Sequence, residues 1–336
     1  MKKILWVGLV VLVVFSIAAG YFGFVLFSNL NHANKEVKLR VRQGWSMEKM
    51  AQELGKVIFL SKEEQQDIVV WANRLGYEKV KACFIQIPAK SSLYDIVKNL
   101  KENRKQTRNL VIKGSWDART LAEAVAANME VTADTLFGML TKSNGTDSLG
   151  FNDKNWPAFF IPNTYNFYVS DNLEVFLKRM QSEKEKFWSE SRKQKALEQG
   201  LDREQVAIIA SIVNKESNKT DEYENIAGVY INRLRKNMLL QADPTVVFAR
   251  KHNGRVLGTD LKIESPYNTY LHKGLPPGPI CIPNVAAYDA VLNYGQHTYL
   301  YFCAKADFSG YHNFAETWEA HLANARAFHR ALNARK

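Results

Sequence analysis

Cysteine is scarce in this sequence and poorly spaced for chemistry: Cys83, Cys281 and Cys303 are its three thiols, and no two form a C-x-x-C. So odd and sparse a set argues against a disulfide framework and against a cysteine zinc site. Cys281 with Cys303 is a conceivable bridge, but buried free thiols packing as small apolar groups are the expectation. Glycine (18) and proline (9) are too few for a collagen-like or low-complexity chain. The seven histidines form no H-E-x-x-H, and neither G-x-G-x-x-G nor G-x-x-x-x-G-K-[ST] occurs, so no metal and no organic cofactor is expected. His312 and His321 read as ordinary core or surface histidines. Acidic residues are outnumbered, 34 against 45 Lys+Arg, which leaves +11. That surplus suits an anionic partner such as nucleic acid, anionic lipid or a carboxylate-bearing polymer, and does not choose among them.

What is present begins with a long apolar run. Residues 4–27, ILWVGLVVLVVFSIAAGYFGFVLF, are 24 in a row without a charge. As a helix they would reach roughly 36 Å, enough for a hydrocarbon core of about 30 Å. A cleaved signal peptide is the competing reading, since Ser16-Ile17-Ala18 offers small residues. The run continues through Phe22, Phe24, Val25 and Phe27, beyond a usual signal core, and favours an uncleaved anchor. Lys2 and Lys3 precede it, so the short leading segment 1–3 is expected in the cytoplasm and the rest outside. In a bacterium that compartment holds little nucleic acid, which argues against a nucleic-acid partner.

Three stretches resemble one another: VRQGWSMEKMAQEL (41–54), IPAKSSLYDIVKNL (87–100) and IKGSWDARTLAEAV (112–125). Each reads as a strand end, a small polar turn and an amphipathic helix, with Ser46, Ser92 and Asp117 as N-caps. Between the first two, Ser61 with Glu64 makes a capping box for another helix, stopped by Gly76. The strand-helix-helix-strand order over 37–130 resembles LysM-like modules that bind N-acetylated glycans; a structural pedestal is the other reading. Helix is expected over 132–140 and 173–197, and an aromatic strand interrupted by Pro162 over 159–169.

Residues 200–336 hold the candidate chemistry. Asp202 and Gln205 start a helix whose apolar stripe runs through Val206, Ile209, Ile212 and Val213. Glu216 falls about 20° from Ile209 and about 40° from Ile212 on that helix, on the buried face. A carboxyl against an apolar wall holds its proton longer, which suits a general acid. Fraying into solvent at the helix end is the competing reading. Downstream, GLPPGP (274–279) makes a rigid loop, and Tyr267, Asn268, Thr269 and Tyr270 offer hydroxyl, amide and aromatic faces that suit a sugar. An irregular loop over the core would explain the same residues.

The ordered set ASIVNKES, INRL, LQADPTV, SPYNTY, GLPPGPI and YLYF resembles the bacterial endolytic murein transglycosylases of the MltG (YceG-like) family. The resemblance implies an α+β chain: a transmembrane anchor at 4–27, a LysM-like region at 37–130, and a mixed α+β catalytic domain at 131–336. It implies a single-pass protein of the bacterial inner membrane whose catalytic domain is periplasmic. Its substrate would be nascent peptidoglycan, cut between N-acetylmuramic acid and N-acetylglucosamine without water, leaving 1,6-anhydro ends. Peptidoglycan synthases of the elongation or division machinery become candidate partners. The family's catalytic glutamate maps onto Glu216, and Gln241, Asp243, Asn268, Thr269 and Tyr270 match family positions expected to line the cleft; Tyr267 joins them as an expected substrate-binding residue from its aromatic hydroxyl, and backbone and amide donors of Asn268 and Thr269 are expected to hold the N-acetyl group. Asn214 and Asn163 stand where the family usually has acidic residues. Two other readings stay open: a hydrolytic muramidase using Glu216 with Asp243, and a non-catalytic peptidoglycan-binding scaffold.

Overall fold

A computed structural model of the protein describes residues 2–103, 105–142, 150–250, 254 and 256–335. They form two compact units. The first comprises Met1–Asn109 with Asn128–Glu130 and Asn166–Asn172; the second comprises Leu110–Ala127, Val131–Tyr165 and Leu173–Lys336.

In the first unit, α1 (Lys2–Phe27) is followed by β1 (Val37–Val41), α2 (Met47–Ile58), α3 (Lys62–Arg74), β2 (Cys83–Ile87) and α4 (Leu93–Asn103). The expected strand-helix-helix-strand order is present. β1 and β2 are antiparallel, in register from Val37 opposite Ile87 to Val41 opposite Cys83. Local chemistry explains the helix starts: Ser46 accepts from the Lys49 N–H, Ser61 and Glu64 form the reciprocal box, and Ser92 accepts from the Asp95 N–H. The outer edge of β2 is occupied by side-chain amides. Gln106 both accepts from the Phe84 N–H (2.7 Å) and donates to its carbonyl (3.1 Å), and Asn99 donates to the Gln86 carbonyl (2.8 Å). Such pairing removes a template for stray strands.

Trp6–Phe27 of α1 is long and apolar enough to cross a membrane, and its most apolar window has no buried residue. Its last turns do more than span. Val25 and Leu26 pack against the first unit's core, Phe22 meets Trp71 edge-on at 5.6 Å, and Phe27 meets Tyr94 at 5.5 Å.

The chain continues through β3 (Thr107–Ile112), α5 (Ala118–Asn128), α6 (Ala133–Thr141), a 3-10 turn at Trp156–Phe159 and β4 (Asn163–Tyr168), which pairs with β3. The third repeat, expected with the first two in the region 37–130, instead belongs largely to the second unit. Its turn is tied down far along the chain, because Ser115 N–H donates to the Ile282 carbonyl at 2.7 Å. The expected strand at 159–169 is shorter: Phe159 and Phe160 lie buried in an aromatic cluster with Phe151 and Phe176, and extension begins at Asn163, after Pro162.

Next come α7 (Leu173–Phe187), α8 (Glu190–Glu198), α9 (Arg203–Glu216), α10 (Tyr223–Arg235), α11 (Asp243–Arg250), α12 (Val285–Leu292), β5 (Tyr301–Ala304), β6 (His312–Ala315) and α13 (Trp318–Asn333). The helix expected over 173–197 breaks in two where Trp188 turns into the core and Ser189 caps α8. α9 is the centre of this unit, contacted by α8, α10, α11 and α12. Every residue from Val206 to Asn214 is buried, so α9 is apolar all round rather than along one stripe; Ala207, Ala210 and Ser211 let its neighbours approach. All three cysteines are free thiols, and burial raises the pKa of Cys281 to about 12.

Candidate active site

Glu216 is the last residue of α9, where nine buried residues give way to an exposed Lys215 and Asn218. Its carboxyl is half-buried and not frayed: the Tyr230 hydroxyl, from the facing side of α10, donates to Oε1. Tyr230 is itself almost fully buried, with Phe302 of β5 edge-on at 6.1 Å. Among the described residues Oε2 takes no hydrogen bond. Burial pushes the Glu216 pKa from 4.5 to about 7; the Tyr230 hydrogen bond and Arg233 act against the rise, and the Asp243 charge adds to it.

Arg233 sits one turn beyond Tyr230 on α10 and is a buried cation whose donors are used on backbone. Nε donates to the Leu300 carbonyl (2.6 Å), and one terminal nitrogen to the Leu240 carbonyl (2.7 Å) and the Gln241 side chain (3.4 Å). That web fixes the chain between α10 and α11, including Gln241, whose φ is +51° and whose N–H donates to the Thr269 carbonyl. Neither Tyr230 nor Arg233 was singled out from the sequence. The available signal was their i, i+3 spacing within VYINRLR, which puts a hydroxyl and a guanidinium on one face of α10.

The other expected site residues divide into two sets. Gln241 and Asp243 are exposed, and Asp243 Oδ1 accepts from the half-buried Tyr270 hydroxyl at 2.6 Å. Burial, then Asp243, raises the Tyr270 pKa, so that ring stays a neutral donor. Asn268 and Thr269, by contrast, are turned inward. Asn268 donates to the Leu261 (3.0 Å) and Ile263 (2.9 Å) carbonyls and accepts from the Tyr270 N–H; Thr269 Oγ1 accepts from the Ala242 N–H (3.0 Å) and shares a hydrogen with Thr245 (2.9 Å). Both side chains shape the loop that carries Tyr270. Tyr267 packs its ring against Phe248 at 4.7 Å.

The proline loop is anchored to the same helix. Ser211 of α9 accepts from the Ile280 N–H at 3.0 Å, and at Gly278 any β-carbon would collide with the Lys154 carbonyl. Asn214 donates to the Ser115 hydroxyl (2.5 Å) and accepts from the Asn284 N–H (2.8 Å), two bonds that call for a donor and an acceptor on one side chain. Asn163 is exposed at the start of β4, its oxygen taken by the Thr164 N–H. His312 is paired with Glu222 at 2.9 Å and is remote in role from Glu216.

Comparison with known proteins identifies the family. The chain belongs to the YceG-like family, whose model matches residues 39–327. Over 156 residues it is 38% identical to the endolytic murein transglycosylase of Bacillus subtilis (strain 168), a match covering 45% of this chain and 42% of that protein. The endolytic murein transglycosylase of Streptococcus pneumoniae (strain D39) is 31% identical over 157 residues, 44% of this chain and 28% of that protein. The matched segment thus spans less than half the length of these curated relatives. A crystal structure of a yceG-like protein from Listeria monocytogenes has the same fold, with a TM-score of 0.57 over 86% of this chain and 98% of that one, at 22% identity.

Proposed function

We propose that the protein is a lytic transglycosylase of peptidoglycan, cutting the bond between N-acetylmuramic acid and N-acetylglucosamine, with Glu216 acting first as acid and then as base. The observation that carries this reading is Glu216 itself: one carboxyl at the end of a buried helix, with a pKa near 7 and one oxygen unengaged. Near neutral pH such a group is available in both protonation states, as a residue that must give a proton and then take one requires. The names of the relatives support the substrate.

The protonated carboxyl donates to the glycosidic oxygen, the C1–O bond breaks, and N-acetylglucosamine leaves with its 4-hydroxyl restored. Positive charge develops at C1 of the muramic acid. The Glu216 carboxylate then takes the proton of that sugar's 6-hydroxyl, whose oxygen closes on C1 and leaves the acid ready for another cycle. Atoms balance without water, and the nucleophile is held by the substrate's own ring. The Tyr230 hydroxyl steadies the carboxylate formed midway, and Arg233 favours the same charged form. Gln241, Asp243 and Tyr270 are the polar groups offered to the strand, while Asn268 and Thr269 serve by fixing Tyr270. α1 anchors the enzyme in the membrane that delivers new strands, its N-terminus cytoplasmic and the chain after α1 outside, where peptidoglycan synthases would be its neighbours.

The test is digestion of purified peptidoglycan by the full chain and by Glu216→Gln, with the muropeptides weighed. Ends one water lighter than a reducing sugar, absent with the variant, are the expected result. Cleavage that survives in Glu216→Gln would contradict the assignment, and no cleavage by folded wild type would favour a binding scaffold.

A further inference from the structure

β5 turns alternate side chains to opposite sides. Phe302 faces Tyr230 and His312, at 6.1 and 5.3 Å. Tyr301 faces α13, where Trp318 and His321 stand at i, i+3 on one side of the helix. The three rings form a closed cluster: Tyr301 to Trp318 is 5.5 Å, Tyr301 to His321 is 5.4 Å with planes 25° apart, and Trp318 to His321 is 5.2 Å. As core packing the cluster is odd, because Trp318 is 51% exposed. It is the one tryptophan beyond α1 left exposed, whereas Trp156 and Trp188 of the same unit are buried.

His321 carries a second peculiarity. Its Nδ1 is buried with no hydrogen-bond partner, while Nε2 is not buried and makes no hydrogen bond among the described residues. An N–H buried at Nδ1 would waste a donor, so the neutral ring keeps its hydrogen on Nε2, facing outward. Burial and then the nearby Arg233 lower the His321 pKa, which keeps the ring neutral. Arg233 also ties the cluster to the candidate active site. Its guanidinium lies 5.3 Å from the Tyr301 ring centre, and the same group acts on the Glu216 carboxyl.

We propose that Tyr301, Trp318 and His321 form a sugar-binding platform beside the Glu216 site, on which an N-acetylated pyranose of the same glycan strand stacks while His321 Nε2–H donates to one of its oxygens. A pyranose has an apolar C–H face and a polar rim, and an exposed indole flanked by a phenol and an outward N–H is its complement. The inference rests on the cleavage reading above and adds an extra subsite: the enzyme grips the strand at a sugar other than those being parted. It therefore discriminates by strand length.

The test combines Trp318→Ala and Trp318→Phe, each in the full chain in detergent, with peptide-free MurNAc–GlcNAc oligosaccharides of defined length. In the Glu216→Gln background, binding of long strands should weaken about tenfold with Trp318→Ala, the loss of one stacked ring, and be largely restored by Trp318→Phe. In the active enzyme Trp318→Ala should raise KM about tenfold on long strands with kcat within about twofold, and leave disaccharide binding unaltered. Unchanged binding and KM would overturn the platform. So would a loss that is equal for long and short sugars, or a Trp318→Ala protein that melts much earlier with KM unchanged, since either marks a structural ring. Failure of wild type to cut peptidoglycan would sink the cleavage reading alone, and Trp318-dependent binding of strands would then still stand.

Discussion

Glu216 and Glu222 flank the short connection from α9 to α10, and they meet the cost of burial in opposite ways. Glu222 is 6% exposed and fully answered: Oε1 accepts the His312 N–H at 2.8 Å, and Oε2 pairs with His312 Nδ1 at 2.9 Å. Glu216 has, among the described residues, one hydrogen bond, from a neutral hydroxyl to one oxygen, and a buried wall whose effect, with that of the Asp243 charge, outweighs the nearby Arg233. A carboxylate given a hydrogen-bond donor on each oxygen becomes a brace between the start of α10 and β6. One given a single donor against a buried wall keeps its proton, and a proton held near neutral pH can be used. Substitutions on the two sides should therefore separate activity from stability.

The largest effect is expected at Glu216. Glu216→Gln should lower the rate of strand cleavage by about a thousandfold, the scale of a lost general acid, as read by muropeptide release. The comparison would break if Glu222→Ala did the same. That variant should instead lose about 2 kcal/mol, by leaving two part-buried donors of His312 without their acceptor, while its cleavage rate per folded molecule stays within a fewfold; thermal melting beside an activity assay checks both.

The same contrast has a pH signature. The folded pKa of Glu216, about 7, lies above its ordinary 4.5, so the native state binds more protons than the unfolded chain between those values. Stability should accordingly fall as pH rises through that window, and above pH 7 the deficit reaches roughly 3 kcal/mol. Glu216→Gln removes it, so the inactive variant should equal wild type near pH 4 and be more stable at pH 8, in urea unfolding at both. For activity, the protonated acid is lost above about 7, which sets the alkaline limb of kcat/KM.

Smaller effects sharpen the picture. Tyr230→Phe removes the hydrogen bond that favours the carboxylate, so the alkaline limb should move upward while the rate falls about tenfold, as a pH–rate profile would show. Asn214→Asp keeps the acceptor for the Asn284 N–H and loses the donor to Ser115. Because that hydroxyl can turn and donate instead, the cost should stay within about 1 kcal/mol by thermal melting.

What could be read in advance was mostly local. The capping residues Ser46, Ser61, Ser92 and Asp202, and the position of Glu216 on its helix, follow from spacings of three and four that the sequence displays. Long-range choices were not legible. The third repeat has the pattern of the others, yet the Ser115 N–H finds the Ile282 carbonyl and the turn goes with the second unit. In the same way, SPYNTY showed which groups a sugar would like but not which of them point inward; Asn268 is consumed by two carbonyls brought close only by the fold. Tyr230 and Arg233 were hidden because a hydroxyl and a guanidinium on a helix are ordinarily surface groups, and acceptors brought close by the fold, chiefly the backbone carbonyls of Leu240 and Leu300, make burying the latter tolerable.

The central claim is that one carboxyl suffices, with the sugar's own hydroxyl in place of water. Digestion of peptidoglycan in water enriched in oxygen-18 tests it most directly. The account predicts new muramic-acid ends that carry no label and are lighter by one water, from wild type and from Asp243→Asn alike. One labelled oxygen per new end, abolished by Asp243→Asn, would contradict it and make the protein a hydrolase with two working carboxylates.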